Sequence, residues 1–283
     1  MKTTSLLTVA LTVLLGLPAP AAVAAQENLA DLQAMDANRL LDRVDQALFP
    51  ESFVASMRME TTRPGRRDTM MLMENFHLEG SGTFMEVQEP SRSRGMRFLQ
   101  KDDELWMYNP RSGARRAIRL SPRDSFQGSV FSNSDVSDPD YTDDYRASHA
   151  GLARISHPEL GSVETVRISA RARHDEAGYG RIEMWLVPFS QVAGAGDAAG
   201  GAGGDSGGAG VMPLRFDYYS RSGLLFKRMT LSGIGQLAGA LRPRVMRMES
   251  LEEEGAATTV TLEQLEARDE LPARLFNQQE LTR

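Results

Sequence analysis

The sequence predicts a mainly β protein of the α+β class, built as an open, curved antiparallel half-barrel of about a dozen strands. We expect an N-terminal helix and a helical or loop lid over an apolar cavity. Two observations predict this fold. After residue 53 the hydrophobic period changes from near 3.6 to two, and the extended runs that follow are joined mostly by turns. They are not separated by helices in a β-α-β rhythm, which disfavours a doubly wound nucleotide-binding fold.

The chain begins with a segment typical of an export signal. Lys2 is its only charge, residues 6–17 form a twelve-residue apolar core, and a run of small residues ends at Ala25. Spanning a bilayer takes about 20 apolar residues, so this core is too short to be a membrane anchor. We therefore expect cleavage after Ala24 or Ala25, a periplasmic location, and a mature protein that does not itself span the membrane.

Composition limits the partners of the mature chain. Residues 26–283 are enough for one large domain, and removal of Lys2 changes the net charge from -6 to -7. Without a basic stripe to neutralise phosphates, nucleic acid is not an expected partner. The absence of cysteine excludes disulfides and an acylated cysteine at the cleavage site.

The helical and extended elements follow from the two periods. A helix is predicted over residues 28–49, capped by Asp36 and ended by Pro50, with one apolar stripe on its surface. That stripe contains Leu40, Leu41, Val44 and Leu48. Besides the hairpin described next, strands are predicted at 53–60, 70–78, 83–89, 115–120, 163–171, 180–189, 213–219, 224–231, 244–251 and 258–267.

Residues 94–110 predict a hairpin whose two strands flank the charged turn at 101–104. Both strands carry large apolar side chains, so we expect this hairpin near the middle of the sheet. Residues 121–147 lose periodicity and are rich in Pro, Gly, Ser and Asp. That stretch is too long for a simple turn, which predicts the lid, or a loop with short helices.

Residues 193–210 form a Gly-rich insertion, which we interpret as a flexible loop between two strands. Gly194-x-Gly196-x-x-Ala199 imitates a dinucleotide fingerprint, but so many glycines cannot hold the helix that this site needs. The string at 204–208 imitates a serine-protease nucleophile segment without a positioned histidine. We predict no catalytic residues and no cofactor.

No metal site is predicted either. The four histidines are scattered, and cysteine is absent. The carboxylates of Asp138, Asp140, Asp143 and Asp144 lack the glycine and closing glutamate of a calcium loop, so a solvated acidic face is the better interpretation.

Methionine is unusually frequent in the extended runs. Of the 15 methionines, 14 follow the predicted signal. Because methionine is flexible and polarizable, a surface lined with it adapts to irregular apolar cargo, although each one taken singly is as readily explained by core filling. A sheet covered by few helices favours the first interpretation, an open cavity for acyl chains.

An ordered set of short motifs resembles the LolA-like outer-membrane lipoprotein-sorting proteins, in a poorly characterised branch of that family. The resemblance covers most of the mature chain, from about Phe53 to the end. The motifs are Arg94-Gly95, Leu105-Trp106-x-Tyr108-x-Pro110, Arg115-Arg116 with Ile118, Gly128-Ser129-x-Phe131 with Asp135, Tyr179-Gly180 with Trp185, Leu214-Arg215-x-Asp217-Tyr218-Tyr219, Gly223 with Lys227, Met248, Thr258-Thr259-Val260 and Leu275-Phe276. Val130 stands where the family pattern usually has aspartate.

The resemblance implies an incomplete antiparallel barrel with a helical lid over an apolar cavity, and transport of lipoproteins across the periplasm. The lipid-binding candidates are Met57, Met59, Met96, Phe98, Trp106, Tyr108, Phe216 and Tyr218. The lid or family-motif candidates are Arg94, Asp135 and Lys227. Arg94 either ties the lid to the sheet or is a solvated charge.

We therefore expect a periplasmic carrier, not an enzyme, that binds the acyl chains of lipoproteins or lipids and passes them toward the outer membrane. Whether the cargo is an acylated lipoprotein, a phospholipid or another amphiphile stays open. The expected partners are an inner-membrane transporter and an outer-membrane acceptor. The alternatives are an accessory subunit of an inner-membrane lipid exporter and a lipid hydrolase; the lack of a Gly-x-Ser-x-Gly elbow disfavours the hydrolase.

Overall fold

The computed structural model describes residues 28–102, 104–113, 115–137, 141–192 and 210–282. The predicted export signal, residues 193–209 of the insertion, and Asp138 and Asp140 of the acidic cluster lie outside these ranges. Within them, no helix is both long enough and apolar enough to cross a membrane.

Two short helices occupy the region where one was predicted. Helix α1 covers Leu29–Ala34, and helix α2 covers Ala37–Leu48. Asp36 does cap a helix, since its carboxylate accepts from the backbone N–H groups of Asn38 and Arg39. However, Met35 is extended, so this cap begins a second helix and ends the first. The predicted stripe of α2 is buried as expected.

Antiparallel strands form the rest of the described fold. The strands are β1 Phe53–Thr62, β2 Thr69–Leu78, β3 Gly82–Glu89, β4 Arg97–Lys101, β5 Glu104–Tyr108, β6 Ile118–Leu120, β7 Tyr145–His157, β8 Gly161–Ala172, β9 Arg181–Pro188, β10 Val211–Tyr219, β11 Leu225–Ser232, β12 Gly235–Leu237, β13 Ala240–Arg242, β14 Val245–Ser250 and β15 Ala257–Ala267. Thirteen of them make one open, curved sheet in the order β6-β5-β4-β3-β2-β1-β15-β14-β11-β10-β9-β8-β7, and β12 pairs with β13 separately. The predicted fold class is confirmed.

The middle of the sheet is not where the sequence indicated. The first and last strands, β1 and β15, pair near its centre, with Phe53 opposite Ala267. The hairpin of β4 and β5 lies close to one edge, because only the three-residue β6 follows it. Its apolar side chains are covered from both faces by other segments of the chain, which explains the misplaced prediction.

We call the face of the sheet that carries α2 the inner face. The segment 121–144, described here as 121–137 and 141–144 and called the lid segment below, lies on the same face. It contains the short helix α3, Asn133–Ser137. Most of the buried apolar side chains form one cluster between the inner face, the helices and the lid segment.

The opposite, outer face carries the C-terminal residues. These residues form a 3-10 helix at Ala273–Phe276, followed by another at Glu280–Thr282. The side chains of Phe276 and Leu281 are buried against Phe84 and Leu99. This segment is a cover for the outer face at the end of the sheet formed by β3, β4 and β5.

Candidate functional site

An apolar pocket lies between the inner face and the lid segment. Its cavity volume is about 60 Å³. Its lining is mostly methionine, phenylalanine and valine. The lining residues are Phe49, Phe53, Met57, Met59, Met73, Asn75, Thr83, Phe131, Asp135, Val136, Met246 and Val260.

The alternation of β1 and β2 builds the sheet side of the pocket. Phe53, Met57 and Met59 point to the inner face from β1, at the period of two that a strand imposes. On β2, Met73 lies opposite Met57 and Asn75 lies opposite Ala55. One row of the inner face thus contributes an amide among apolar neighbours.

The lid segment covers the rest of the inner face with aromatic side chains. The ring of Phe126 lies 4.9 Å from that of Phe98, and the ring of Tyr141 lies edge-on to Phe216 at 5.6 Å. The hydroxyls of Tyr141 and Tyr218 are 3.1 Å apart. The part of the predicted cargo surface formed by Phe98, Phe216 and Tyr218 is therefore covered by the chain itself.

Polar contacts fasten the lid segment in two places. In its first half, the N–H of Val130 donates to Oγ1 of Thr258 on β15 at 2.9 Å. Near its end, the carboxylate of Asp45 on α2 accepts from the N–H groups of Tyr141 and Thr142, at 3.1 and 3.0 Å. Val130 is buried in the core, so an apolar side chain fits where the family pattern has a charge.

A third fastening joins α3 to the sheet through Asp135, Tyr179 and Lys227, which we call the Asp135 cluster. The hydroxyl of Tyr179 donates to the Asp135 carboxylate, 2.7 Å from Oδ1 and 2.6 Å from Oδ2. Nζ of Lys227 lies 3.7 Å from Oδ2 of the same carboxylate and 3.3 Å from the Tyr179 hydroxyl. The side chains of Asp135 and Lys227 are only 7% and 15% exposed. The cluster is a partly buried ion pair bridged by a phenol.

The electrostatics of this cluster favour a neutral tyrosine. Burial, the Asp135 charge and the hydrogen bond to Asp135 hold the pKa of Tyr179 well above its usual value. Tyr179 therefore stays a hydrogen-bond donor at neutral pH and is not poised for proton transfer. The arrangement suits a fastening and not acid-base chemistry.

Comparisons with known proteins agree with this architecture. A family model described as "Uncharacterized protein" matches residues 79–192 and 209–283. The chain belongs to that family. The unmatched stretch between the two blocks, residues 193–208, contains almost the whole Gly-rich insertion. A search of the curated proteins found no match.

Comparison with solved structures shows that this chain has the LolA fold. A LolA superfamily protein from Nitrosomonas europaea is 19% identical, with a TM-score of 0.68 over 86% of this chain and 98% of its own. A domain from Vibrio parahaemolyticus, described as an outer membrane lipoprotein-sorting protein, is 19% identical. Its TM-score is 0.66 over 87% of this chain and 98% of its own. A protein from Desulfovibrio piger, in a family named for a domain of unknown function, is 20% identical. Its TM-score is 0.67 over 86% of this chain and 97% of its own.

The LolA fold divides the predicted lipid-binding residues among three places. Met57 and Met59 line the pocket. Met96, Phe98, Phe216 and Tyr218 belong to the same inner cluster but are buried. Trp106 and Tyr108 lie on the outer face, because Trp106 pairs with Leu99 and both pack near Phe276. These two are therefore not part of the lining, contrary to their assignment from the sequence motif.

The lid and motif candidates are also separated. Asp135 and Lys227, 92 positions apart in the chain, meet in the Asp135 cluster. Arg94 is not part of this cluster. Its Nε donates to the carbonyl of Gln88 at 2.8 Å, within the turn between β3 and β4. Of its two interpretations, the tie to the lid segment has no support among its described contacts.

Sequence reasoning missed several lining residues. Phe49, Phe53, Asn75, Thr83, Phe131, Val136 and Val260 were not named as candidates, and Met73 and Met246 were not separated from other methionines. The signal that identifies Asn75 is its spacing of two from Met73. It was obscured because Met70, Leu72, Phe76 and Leu78 make the other face of β2 equally apolar.

No metal centre was found in the part of the chain that the structure describes. No group of three or more His, Asp or Glu side chains is arranged there to hold a metal ion.

Proposed function

We propose that this protein binds the acyl chains of lipoproteins or lipids between its inner face and the lid segment, and carries them through the periplasm toward the outer membrane without catalysis. The observation that supports it best is an apolar pocket whose cover is a separate segment of chain, fastened by a small set of polar contacts. The LolA fold and the export signal predicted from the sequence support the same function.

The small size of the pocket supports a closed form of the proposed carrier. Ligand pockets usually measure about 300–1,000 Å³, whereas this cavity measures only about 60 Å³. A whole acyl chain therefore requires the lid segment to move away. That movement would expose Phe98, Phe216 and Tyr218, which now lie beneath Phe126 and Tyr141.

The energetics favour such an exchange. Removing Phe126 and Tyr141 from the inner face exposes apolar surface, and an entering acyl chain covers it again. Burial of about 15 methylenes at ~0.8 kcal/mol each contributes on the order of 12 kcal/mol relative to water. Cargo would be retained in the periplasm, while transfer to another apolar groove or a bilayer would be nearly neutral. Direction must then come from an inner-membrane donor and an outer-membrane acceptor.

Lipid occupancy is the direct test. Native mass spectrometry of protein taken from the periplasm is expected to detect bound lipid, and the lipid-free protein is expected to bind a fluorescent acyl probe. The absence of both would contradict the proposal. Capture of a membrane partner without lipid occupancy would instead favour an accessory subunit of a lipid exporter.

A matched pair of variants tests whether the acyl chain binds in the pocket. Met57→Glu adds a charge to the lining, so probe binding should fall by at least tenfold, because an unpaired carboxylate is costly beside an acyl chain. Met70→Glu is the control, since Met70 is a half-buried methionine on the neighbouring strand that does not line this pocket. Equal probe affinity of the two variants would place the cargo elsewhere.

A further inference from the structure

The amide of Asn75 is the one lining group that the fold leaves unsatisfied among the described residues of this pocket. Asn75 is 2% exposed, and its Nδ2 has no hydrogen-bond partner. A buried N–H without a partner is rare in folded proteins because it loses its bonds to water and gains none in return. A ligand with an acceptor atom would satisfy it.

The other polar groups of the pocket already have partners. Oγ1 of Thr83 lies 2.8 Å from Nδ1 of His77. The Asp135 carboxylate accepts from the Tyr179 hydroxyl and from the N–H of Ser132. Asn75 is therefore distinguished from Thr83 and Asp135 by its free donor, and not merely by being polar.

On the sheet side of the pocket, the polar side chains of Asn75 and Thr83 lie at one place and the other side chains are apolar. On the inner face Asn75 lies between Ala55 of β1 and Met85 of β3, and neither side chain accepts a hydrogen bond from its Nδ2. Thr83 is two residues from Met85, so it is the diagonal neighbour of Asn75. Beyond them the sheet side of the pocket continues with Met57, Met59 and Met73. A hydrocarbon that ends in an acceptor matches this order.

We infer that Asn75 is a specificity-determining residue, and that its Nδ2 donates to the carbonyl oxygen of an ester-linked or amide-linked acyl chain bound in the pocket. The ligand class is thus an acyl group that enters with its carbonyl, as opposed to a plain alkyl chain. This inference rests on the proposed function and adds to it a chemical requirement on the cargo. It also explains why an amide occupies a row that methionine would fill without an unsatisfied group.

The test compares two ligands of matched length. Methyl decanoate carries a carbonyl, and decyl methyl ether does not; each competes with a fluorescent acyl probe for the full mature chain. We expect the ester to bind about tenfold more tightly, the effect of one net hydrogen bond in a buried site. In Asn75→Leu this difference should disappear. It should remain in Met71→Leu, the control on the same strand, because Met71 does not line the pocket.

Two further readouts separate a ligand contact from a structural role. With methyl decanoate labelled with carbon-13 at its carbonyl, the bound ester band should lie at lower wavenumber in the wild type than in Asn75→Leu. The melting temperature of lipid-free Asn75→Leu should equal or exceed that of the wild type, because the substitution removes an unsatisfied buried group. A lower melting temperature together with an unshifted band would overturn the inference.

The outcomes distinguish this inference from the proposed function. Equal affinity for ester and ether in the wild type, or retained selectivity in Asn75→Leu, would overturn the inference alone. Binding of neither compound, together with no binding of the probe, would overturn both.

Discussion

Asp217 is a buried carboxylate held between two arginines on the outer face of the sheet. Arg215 and Arg228 each donate two hydrogen bonds to it, with distances from 2.5 to 2.9 Å. Burial alone would raise the pKa of Asp217, but the bonds from Arg215 and then Arg228 outweigh burial and hold the pKa below its usual value. The motif position therefore stabilises the sheet and does not contact the pocket.

The lowered pKa predicts how stability depends on pH. The contribution of Asp217 is fully present above the unfolded pKa of about 3.9 and is lost as the pH falls through the folded value. Asp217→Asn should lower the free energy of unfolding by about 2 kcal/mol at pH 7, a figure reduced because both arginines are partly hydrated. Urea unfolding at pH 7 and at pH 3 measures this difference, which should be smaller at pH 3.

Glu266→Gln is the control for this prediction. Its carboxylate is paired with Arg268 at an exposed site, so its removal should change stability little at either pH. A difference between wild type and Asp217→Asn that does not shrink in acid would contradict the assigned role of the two arginines.

Asp135→Asn tests the fastening of the lid segment. The substitution keeps an acceptor for Tyr179 but removes the charge paired with Lys227, so the lid segment should open more often. Hydrogen exchange of the amides at 121–144 should become faster by about thirtyfold, corresponding to a loss of about 2 kcal/mol. Asp124→Asn, at an exposed position of the same segment, should leave these rates unchanged. Faster exchange throughout β1 and β15 would indicate global destabilisation instead.

At the scale of single elements, the Gly-rich insertion joins two strands that are already adjacent. The N–H of Phe189 donates to the carbonyl of Gly210 at 2.8 Å, and Val211 of β10 pairs with Pro188 of β9. Replacing residues 193–209 by Asn-Gly should therefore leave the melting temperature unchanged or slightly higher, since a shorter loop costs less entropy to close. A fall of more than about 5 °C in a thermal unfolding scan would show that the insertion stabilises the fold.

The C-terminal segment is a second element with a testable role. Phe276 is 3% exposed against the outer face, so Phe276→Ala should lower the free energy of unfolding by about 3 kcal/mol. In a Trp185→Phe background, Trp106 reports on this face, and its fluorescence should shift to longer wavelength. Arg274→Ala, at an exposed position in the same turn, should change neither quantity.

Particular elements show what the sequence could predict. The alternation in β1 and the stripe of α2 were predictable because one face of each element is buried, which leaves a periodic signal. Strand β7 was missed because it is an edge strand with mostly exposed residues between Tyr145 and His157, so alternation is weak there. The two-helix start was missed because Asp36 was interpreted as a cap within one helix.

At the scale of the whole molecule, the faces of β5 could not be assigned from sequence. Trp106 and Met107 are both large and apolar, and only the C-terminal residues decide that Trp106 faces outward. Likewise, Asp135 and Lys227 carried no local signal of their contact, which depends on how α3 lies over β11. The sequence predicted an apolar site on the sheet, whereas long-range packing decides which residues line it.

The pairing of β1 with β15 has a consequence for how the protein acquires its structure. During synthesis Phe53 leaves the ribosome long before its partner Ala267 does, so the central ladder must wait for nearly the entire polypeptide. Until then β1–β6 and β7–β14 can form only as two separate meanders. Such a high contact order slows folding, which would keep a chain with the predicted export signal unfolded long enough to be threaded through a translocation channel.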